Sequence, residues 1–153
     1  MAAPSSPASK GHVAEYVRAL LDAECFKGQI AHHRLQPARD AAYGQCRRPW
    51  PYALEKLLDE RDIALYSHQA LAMDHIRAGH SVVVATPTAS GKSLIYNLPV
   101  LERFLADPDA RALYLFPLKA LAQDQLAAFQ KLCASWPKDA RPQIALYDGD
   151  TSA

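Results

Sequence analysis

Hydrophobic positions along this chain change their spacing near residue 80. Before it, apolar residues recur at helical intervals. Val13, Val17, Leu20 and Leu21 fall at i, i+4, i+7 and i+8, which predicts an amphipathic helix over 13–26 with Gly28 as its stop. Residues 29–35 read as a short extended segment and 37–51 as an irregular linker. Leu54, Leu57 and Leu58 carry a short helix at 52–61. Ser67 then reads as the N-cap of a helix over 68–78 that Gly79 ends. After residue 80, short apolar runs alternate with helical stretches. Runs at 81–85, 112–116 and 143–147 predict three strands. Between them lie a helix with Leu94, Leu98, Leu101 and Leu105 on one face, kinked by Pro99, and a helix from Lys119 with Ala122, Leu126, Phe129 and Cys133 on one face. Strand–helix–strand repetition implies an α/β domain with a three-strand parallel sheet and flanking helices, preceded by a helical N-terminal extension. Three strands leave the sheet incomplete, with an edge and faces that need cover.

The first strand runs into Thr86-Pro87-Thr88-Ala89-Ser90-Gly91-Lys92-Ser93, where Gly-Lys-Ser opens a helix. A strand, a tight loop and a helix start are the layout of a phosphate-binding loop, in which backbone N–H groups and the helix dipole surround a polyphosphate. Lys92 can reach the β- and γ-phosphates, the Ser93 hydroxyl can ligate Mg²⁺, and Gly91 lets the backbone approach the phosphates. The strict G-x-x-x-x-G-K-[ST] pattern fails at Thr86. An incidental strand–helix turn is the competing reading, and the apolar strand before and amphipathic helix after favour the loop.

Composition narrows the partners. Seventeen Lys and Arg stand against 16 Asp and Glu, so no bulk basic field advertises nucleic acid, and any such contact is a local patch. Half of the 153 residues are hydrophobic, enough for a core. Cys25, Cys46 and Cys133 form no C-x-x-C pair, and residues 1–10 hold no apolar signal core. Reduced thiols in a cytoplasmic protein are expected, with no membrane segment and a disordered start over 1–11. His32, His33 and His68 have no metal-site spacing and read as surface or capping residues.

Three further segments carry candidate chemistry. In Leu65-Tyr66-Ser67-His68-Gln69 a carboxamide could match the N6/N7 edge of adenine and Tyr66 could stack on the base; an ordinary helix N-terminus is the alternative. Pro117 to Gln125 follows the second strand, where a lysine and helix N-terminal amides suit a phosphodiester backbone, or form an ordinary turn. Tyr147-Asp148-Gly149-Asp150-Thr151 ends the third strand. It reads as a backbone-contacting loop for nucleic acid, as a site where Asp148 supports Mg²⁺, or as a plain glycine turn.

Taken in order, these four segments resemble the first motifs of superfamily 2 (DEAD/DEAH-box type) ATP-dependent DNA helicases. The wording is most similar to the mitomycin-repair-type, RecQ-related family, including Tyr96-Asn97-Leu98-Pro99 and the Thr86 and Ala89 usage in the loop. The resemblance covers about residue 53 to the end, and more weakly from Ile30. It implies an incomplete RecA-like (P-loop NTPase) lobe over 52–153 after an extension over 12–51. By resemblance Tyr66 and Gln69 bind adenine, and Thr86, Pro87, Thr88, Ala89, Ser90, Gly91 and Lys92 hold the phosphates of ATP. Ser93 binds Mg²⁺. Pro117, Lys119, Gln123, Gln125, Gly149, Asp150 and Thr151 lie along a strand of single-stranded or partly duplex DNA. The family's Asp-Glu-x-His box is expected downstream of Thr151 and is absent here, as is the second, C-terminal helicase lobe with its arginine finger. The expectation is therefore the front end of a repair helicase, binding ATP and nucleic acid but unable to hydrolyse or unwind alone. A non-catalytic binding relic and another P-loop NTPase or kinase are the alternatives; no Asn-Lys-x-Asp guanine signature is present.

Overall fold

The computed structural model describes residues 10–26, 28–34, 40–87, 90–149 and 151. The expected disordered start therefore falls outside the described residues up to position 9, and Lys10 and Gly11 already belong to a helix. The chain divides after Asp40 into two compact units.

In the first unit, α1 spans Lys10–Asp22 and a 3₁₀ turn follows at Glu24–Phe26, so the periodic stretch expected as one helix to Phe26 tightens in its last turn. Gly28 then takes φ +78°, the left-handed conformation that suits a residue just past a helix end. None of the described side chains from 13 to 34 is fully buried.

Among the described residues, the second unit has a 3₁₀ turn at Lys138–Ala140 and four α-helices: α2 (Tyr52–Glu60), α3 (Ser67–Arg77), α4 (Lys92–Ala106) and α5 (Lys119–Leu132). Their apolar stripes meet in one core. Leu54, Leu57 and Leu58 of α2, Met73 of α3, Ile95, Leu98 and Leu101 of α4, and Phe129 and Leu132 of α5 are buried together with Leu65, Cys133 and Trp136. Burial of each large side chain contributes about 1.5–3 kcal/mol, which is why i, i+3, i+4 spacing suffices to fix these helices. α4 continues through Pro99 to Ala106. Its buried Asn97 is satisfied by the Tyr114 hydroxyl, which donates to Oδ1 at 3.2 Å. Burial pushes the Cys133 thiol up to about 11 and raises the Tyr114 phenol as well, so both stay protonated near neutrality.

One expectation is corrected here. Ser67 is the first residue of α3 and not its cap. Tyr66 holds the cap position, and its N–H donates to Gln69 Oε1 at 2.8 Å. The parallel sheet is the larger difference. Among the described residues, 81–87, 111–116 and 142–148 carry no strand, and the one β-bridge is antiparallel, between Tyr43 and Tyr66. Alternation is nevertheless present: Val82, Val84 and Tyr114 pack on the core, whereas Val83, Leu113 and Leu115 are 95%, 85% and 83% exposed. Parallel strands are stable when both faces are covered. Here the core covers one side of 81–87 and 111–116, and the apolar residues between face solvent.

The irregular stretch 41–50 is held at specific points. Gly44 N donates to Leu65 O at 2.9 Å and Ser67 N to Ala42 O at 2.8 Å. A Cβ on Gly44 would stand 2.9 Å from Ser67 Cα, so only glycine permits this approach. Further along, Arg77 donates to Arg48 O (2.7 Å) and Pro49 O (2.8 Å), pairs bidentately with Glu102 (2.7 and 2.8 Å) and lies 4.1 Å from the Trp50 ring centroid. One nearly buried guanidinium thereby ties the segment to α3 and α4.

Candidate nucleotide and nucleic-acid site

The phosphate-loop residues are organised by a buried glutamine. Gln69, only 2% exposed, accepts from Tyr66 N through Oε1. Its Nε2 donates to Gly91 O at 2.8 Å and lies 3.5 Å from Ser90 O. Its amide thus joins the start of α3 to the start of α4. Gly91 adopts φ +69° at the N-cap of α4, and a Cβ there would stand 2.5 Å from Gln69 Nε2. Conformation and space both demand glycine at this position. His68 adds a second tie, its Nε2 donating to Ser90 O at 3.2 Å.

Lys92, the first residue of α4, turns its ammonium back into the loop. Nζ donates to Pro87 O (2.8 Å), Thr86 O (3.0 Å) and Ser90 Oγ (3.3 Å), while Thr86 Oγ1 and Ser90 Oγ are hydrogen-bonded to each other at 2.6 Å. The cation lies where the loop closes, satisfied by neutral acceptors that an anionic phosphate would outcompete. Thr88 and Ala89 lie outside the described residues.

Beside this loop is a cavity of about 380 Å³, within the range of small-molecule sites, lined by Tyr43, Asp62, Ile63, Ala64, Tyr66, Gln69, Gly91 and Leu94. Tyr43 stacks on Tyr66 with centroids 5.4 Å apart and planes 14° apart, and Tyr66 stacks on His68 at 5.8 Å. Tyr43 is the residue that sequence reasoning missed. Its one signal is an aromatic followed by glycine in an otherwise irregular stretch, and the pairing with residues 65–67 is carried by backbone hydrogen bonds that leave no mark on residue type.

The remaining site residues separate into two groups. Lys119 Nζ pairs with Asp148 Oδ2 at 3.3 Å, bringing the turn at 117–119 beside the loop at 148–151. That loop is closed by Thr151, whose Oγ1 accepts from Asp148 N at 2.9 Å. Pro117, Gln123 and Gly149 are exposed, and Asp150 lies outside the described residues. Gln125 goes elsewhere: its Oε1 accepts from both Ser93 Oγ and Tyr96 OH, each at 2.9 Å.

Comparison with known proteins identifies the family. Residues 66–153, more than half of the chain, match the family model for DEAD/DEAH box helicase. The ATP-dependent helicase HRQ1 of Saccharomyces cerevisiae is 37% identical over 140 residues, covering 91% of this chain and 13% of that protein. The uncharacterized ATP-dependent helicase YprA of Bacillus subtilis is 43% identical over 125 residues, 78% of this chain and 16% of its own length. A crystal structure of the DUF1998 helicase MrfA bound to DNA superposes with a TM-score of 0.63 at 42% identity, over 74% of this chain and 16% of that one. A second MrfA structure, with DNA and AMPPNP, gives 0.62. The chain thus spans about a seventh of the length of these relatives, and the likeness supports the RecA-like helicase fold. By these matches, the chain belongs to the DEAD/DEAH box helicase family.

Proposed function

We propose that this chain is the nucleotide-gripping front part of an ATP-dependent DNA helicase, with repair as the role the family resemblance implies. The observation that carries the proposal is the Gln69 carboxamide, joined at once to the phosphate loop at Gly91 and to the aromatic cavity at Tyr66. In this reading adenine enters the cavity between Tyr43, Tyr66 and Gln69. Gln69 offers the base the acceptor and donors of its amide, exchanging some of its present bonds. Residues 86–93 surround the phosphates, and Lys92 leaves its carbonyl partners for the β- and γ-oxygens. Mg²⁺ would be held by the Ser93 hydroxyl together with the nucleotide's own phosphates, a donor set of oxygens that suits this hard cation. When bound, it would neutralise charge on the transferring phosphoryl group.

Single-stranded or partly duplex DNA would lie along Pro117, Lys119, Gln123 and the 149–151 loop, which the Lys119–Asp148 pair brings side by side. Residues 81–87, 111–116 and 142–148 would join as three parallel strands when their second face is covered. Without an Asp-Glu-x-His sequence or a second lobe, this chain alone would bind ATP with little or no turnover. All three cysteines are free, in keeping with a cytoplasmic setting. No described helix is long and apolar enough to cross a membrane.

The test is equilibrium binding of mant-ATP with Mg²⁺ by this chain and by Lys92→Ala, with ADP and GTP as competitors. Saturable binding, weakened about 10–100-fold by the loss of a charged hydrogen-bonding group and competed by ADP but poorly by GTP, is the expected result. Equal binding by parent and variant, or preference for GTP, would overturn the proposal.

A further inference from the structure

Gln125 lies on α5, among residues expected to face nucleic acid, yet its side chain is committed to the nucleotide side. Ser93 and Tyr96 stand three residues apart on α4 and so share a face. Both hydroxyls donate to the same atom, Gln125 Oε1, at 2.9 Å. A carboxamide oxygen has two lone pairs, and these two bonds use both. The Tyr96 ring is itself fixed edge-on against Tyr114, centroids 5.6 Å apart at 72°. The acceptor is therefore held in place from outside the loop.

A serine hydroxyl has one proton and two lone pairs. If it is to ligate a cation, the lone pairs must face the metal and the proton must point away to an acceptor. Among the described contacts that acceptor is Gln125. Accepting this proton fixes the Ser93 rotor and makes its oxygen a better donor, as partners behind a metal ligand do.

We infer that Gln125 is a positioning residue for the Mg²⁺ ligand Ser93, acting through the Ser93 proton, and is not a nucleic-acid contact. The inference rests on the nucleotide reading above and assigns Gln125 a role within it.

The test is a Mg²⁺ titration of mant-ATP binding by the full chain, read by fluorescence, with a parallel titration in EDTA and one with fluorescein-labelled oligothymidylate. Gln125→Ala should raise the Mg²⁺ midpoint about 10–100-fold while leaving mant-ATP affinity in EDTA and oligothymidylate affinity at parental values. Gln125→Glu keeps an acceptor for both hydroxyls and should restore the midpoint. Tyr96→Phe, which loosens the acceptor without removing it, should give a smaller rise. Far-UV circular dichroism confirms that each variant folds, and Gln125→Glu and Tyr96→Phe carry the test if Gln125→Ala does not. An unchanged midpoint in folded Gln125→Ala would overturn the inference, as would equal loss of affinity with and without Mg²⁺, or loss of oligothymidylate binding alone. Failure of the Gln125→Glu rescue would also count against it. Absence of saturable mant-ATP binding by the parent chain would instead remove the nucleotide reading itself, and this inference with it.

Discussion

Two regions of the second unit end in opposite conditions. Around α3 and the start of α4, most polar groups have named partners. Gln69 is bonded at both ends of its amide, Lys92 has three acceptors, and Arg77 holds Glu102 and two carbonyls. Along 81–87 and 111–116, the alternation of a strand is present without a ladder, and Val83, Leu113 and Leu115 stand in solvent. The difference lies in what each region needs. The first is closed by side-chain hydrogen bonds between elements adjacent in space, so it is complete within this stretch of chain. The second needs a second covering layer, which no local residue choice supplies.

The comparison is tested most strongly in the core that both regions share. Leu98→Ala empties a fully buried position on α4 and should cost about 2–5 kcal/mol. Urea denaturation followed by fluorescence of Trp50 and Trp136 measures it. A cost below about 1 kcal/mol would mean that the helical half is not a packed core.

Gly91→Ala should cost less, about 1–2 kcal/mol from the left-handed conformation, and should also weaken mant-ATP binding because the added Cβ meets Gln69. Gly149→Ala, where a Cβ meets nothing within 4 Å, is the matched control and should stay within about 0.5 kcal/mol. Equal effects at the two glycines would remove the distinction between clamped loop and open loop.

Leu113→Thr is expected to give the smallest change, within about 0.5 kcal/mol, together with reduced self-association in sedimentation velocity at high concentration. A large loss of stability would show that this face is already covered in solution.

Legibility in the sequence followed the same division. Helices α2, α4 and α5 were readable because burial imposes a spacing on Leu54, Leu57, Leu98, Leu101 and Phe129 that survives in the string of residues, and α3 was readable from Ser67 and Gly79 at its two ends. Gly91 was readable as the glycine before α4 because a left-handed N-cap restricts residue type there, and the phosphate roles proposed for Lys92 and Ser93 come from residue type in the same run. The cap of α3 was misplaced by one residue: Ser67 has the usual capping chemistry, but Gln69 reaches back to the Tyr66 N–H and moves the cap there. The parallel sheet was read from short apolar runs between helices, but such a run reports only that a segment has apolar residues to cover. Whether the backbones pair depends on cover from elsewhere. Tyr43 and the Gln125–Ser93 bond were not legible, since both arise from approach between segments distant in sequence and need no special residue type.

The family pattern begins at Tyr66, yet the lining of the cavity includes Tyr43, delivered by two backbone hydrogen bonds and a glycine that fits against Ser67. Motif boundaries and mechanical boundaries therefore do not coincide in this molecule. A version trimmed to the recognisable motifs would keep every signature residue and still lose one ring of its aromatic stack, so the place to cut is set by where the chain is fastened and not by where it starts to look familiar.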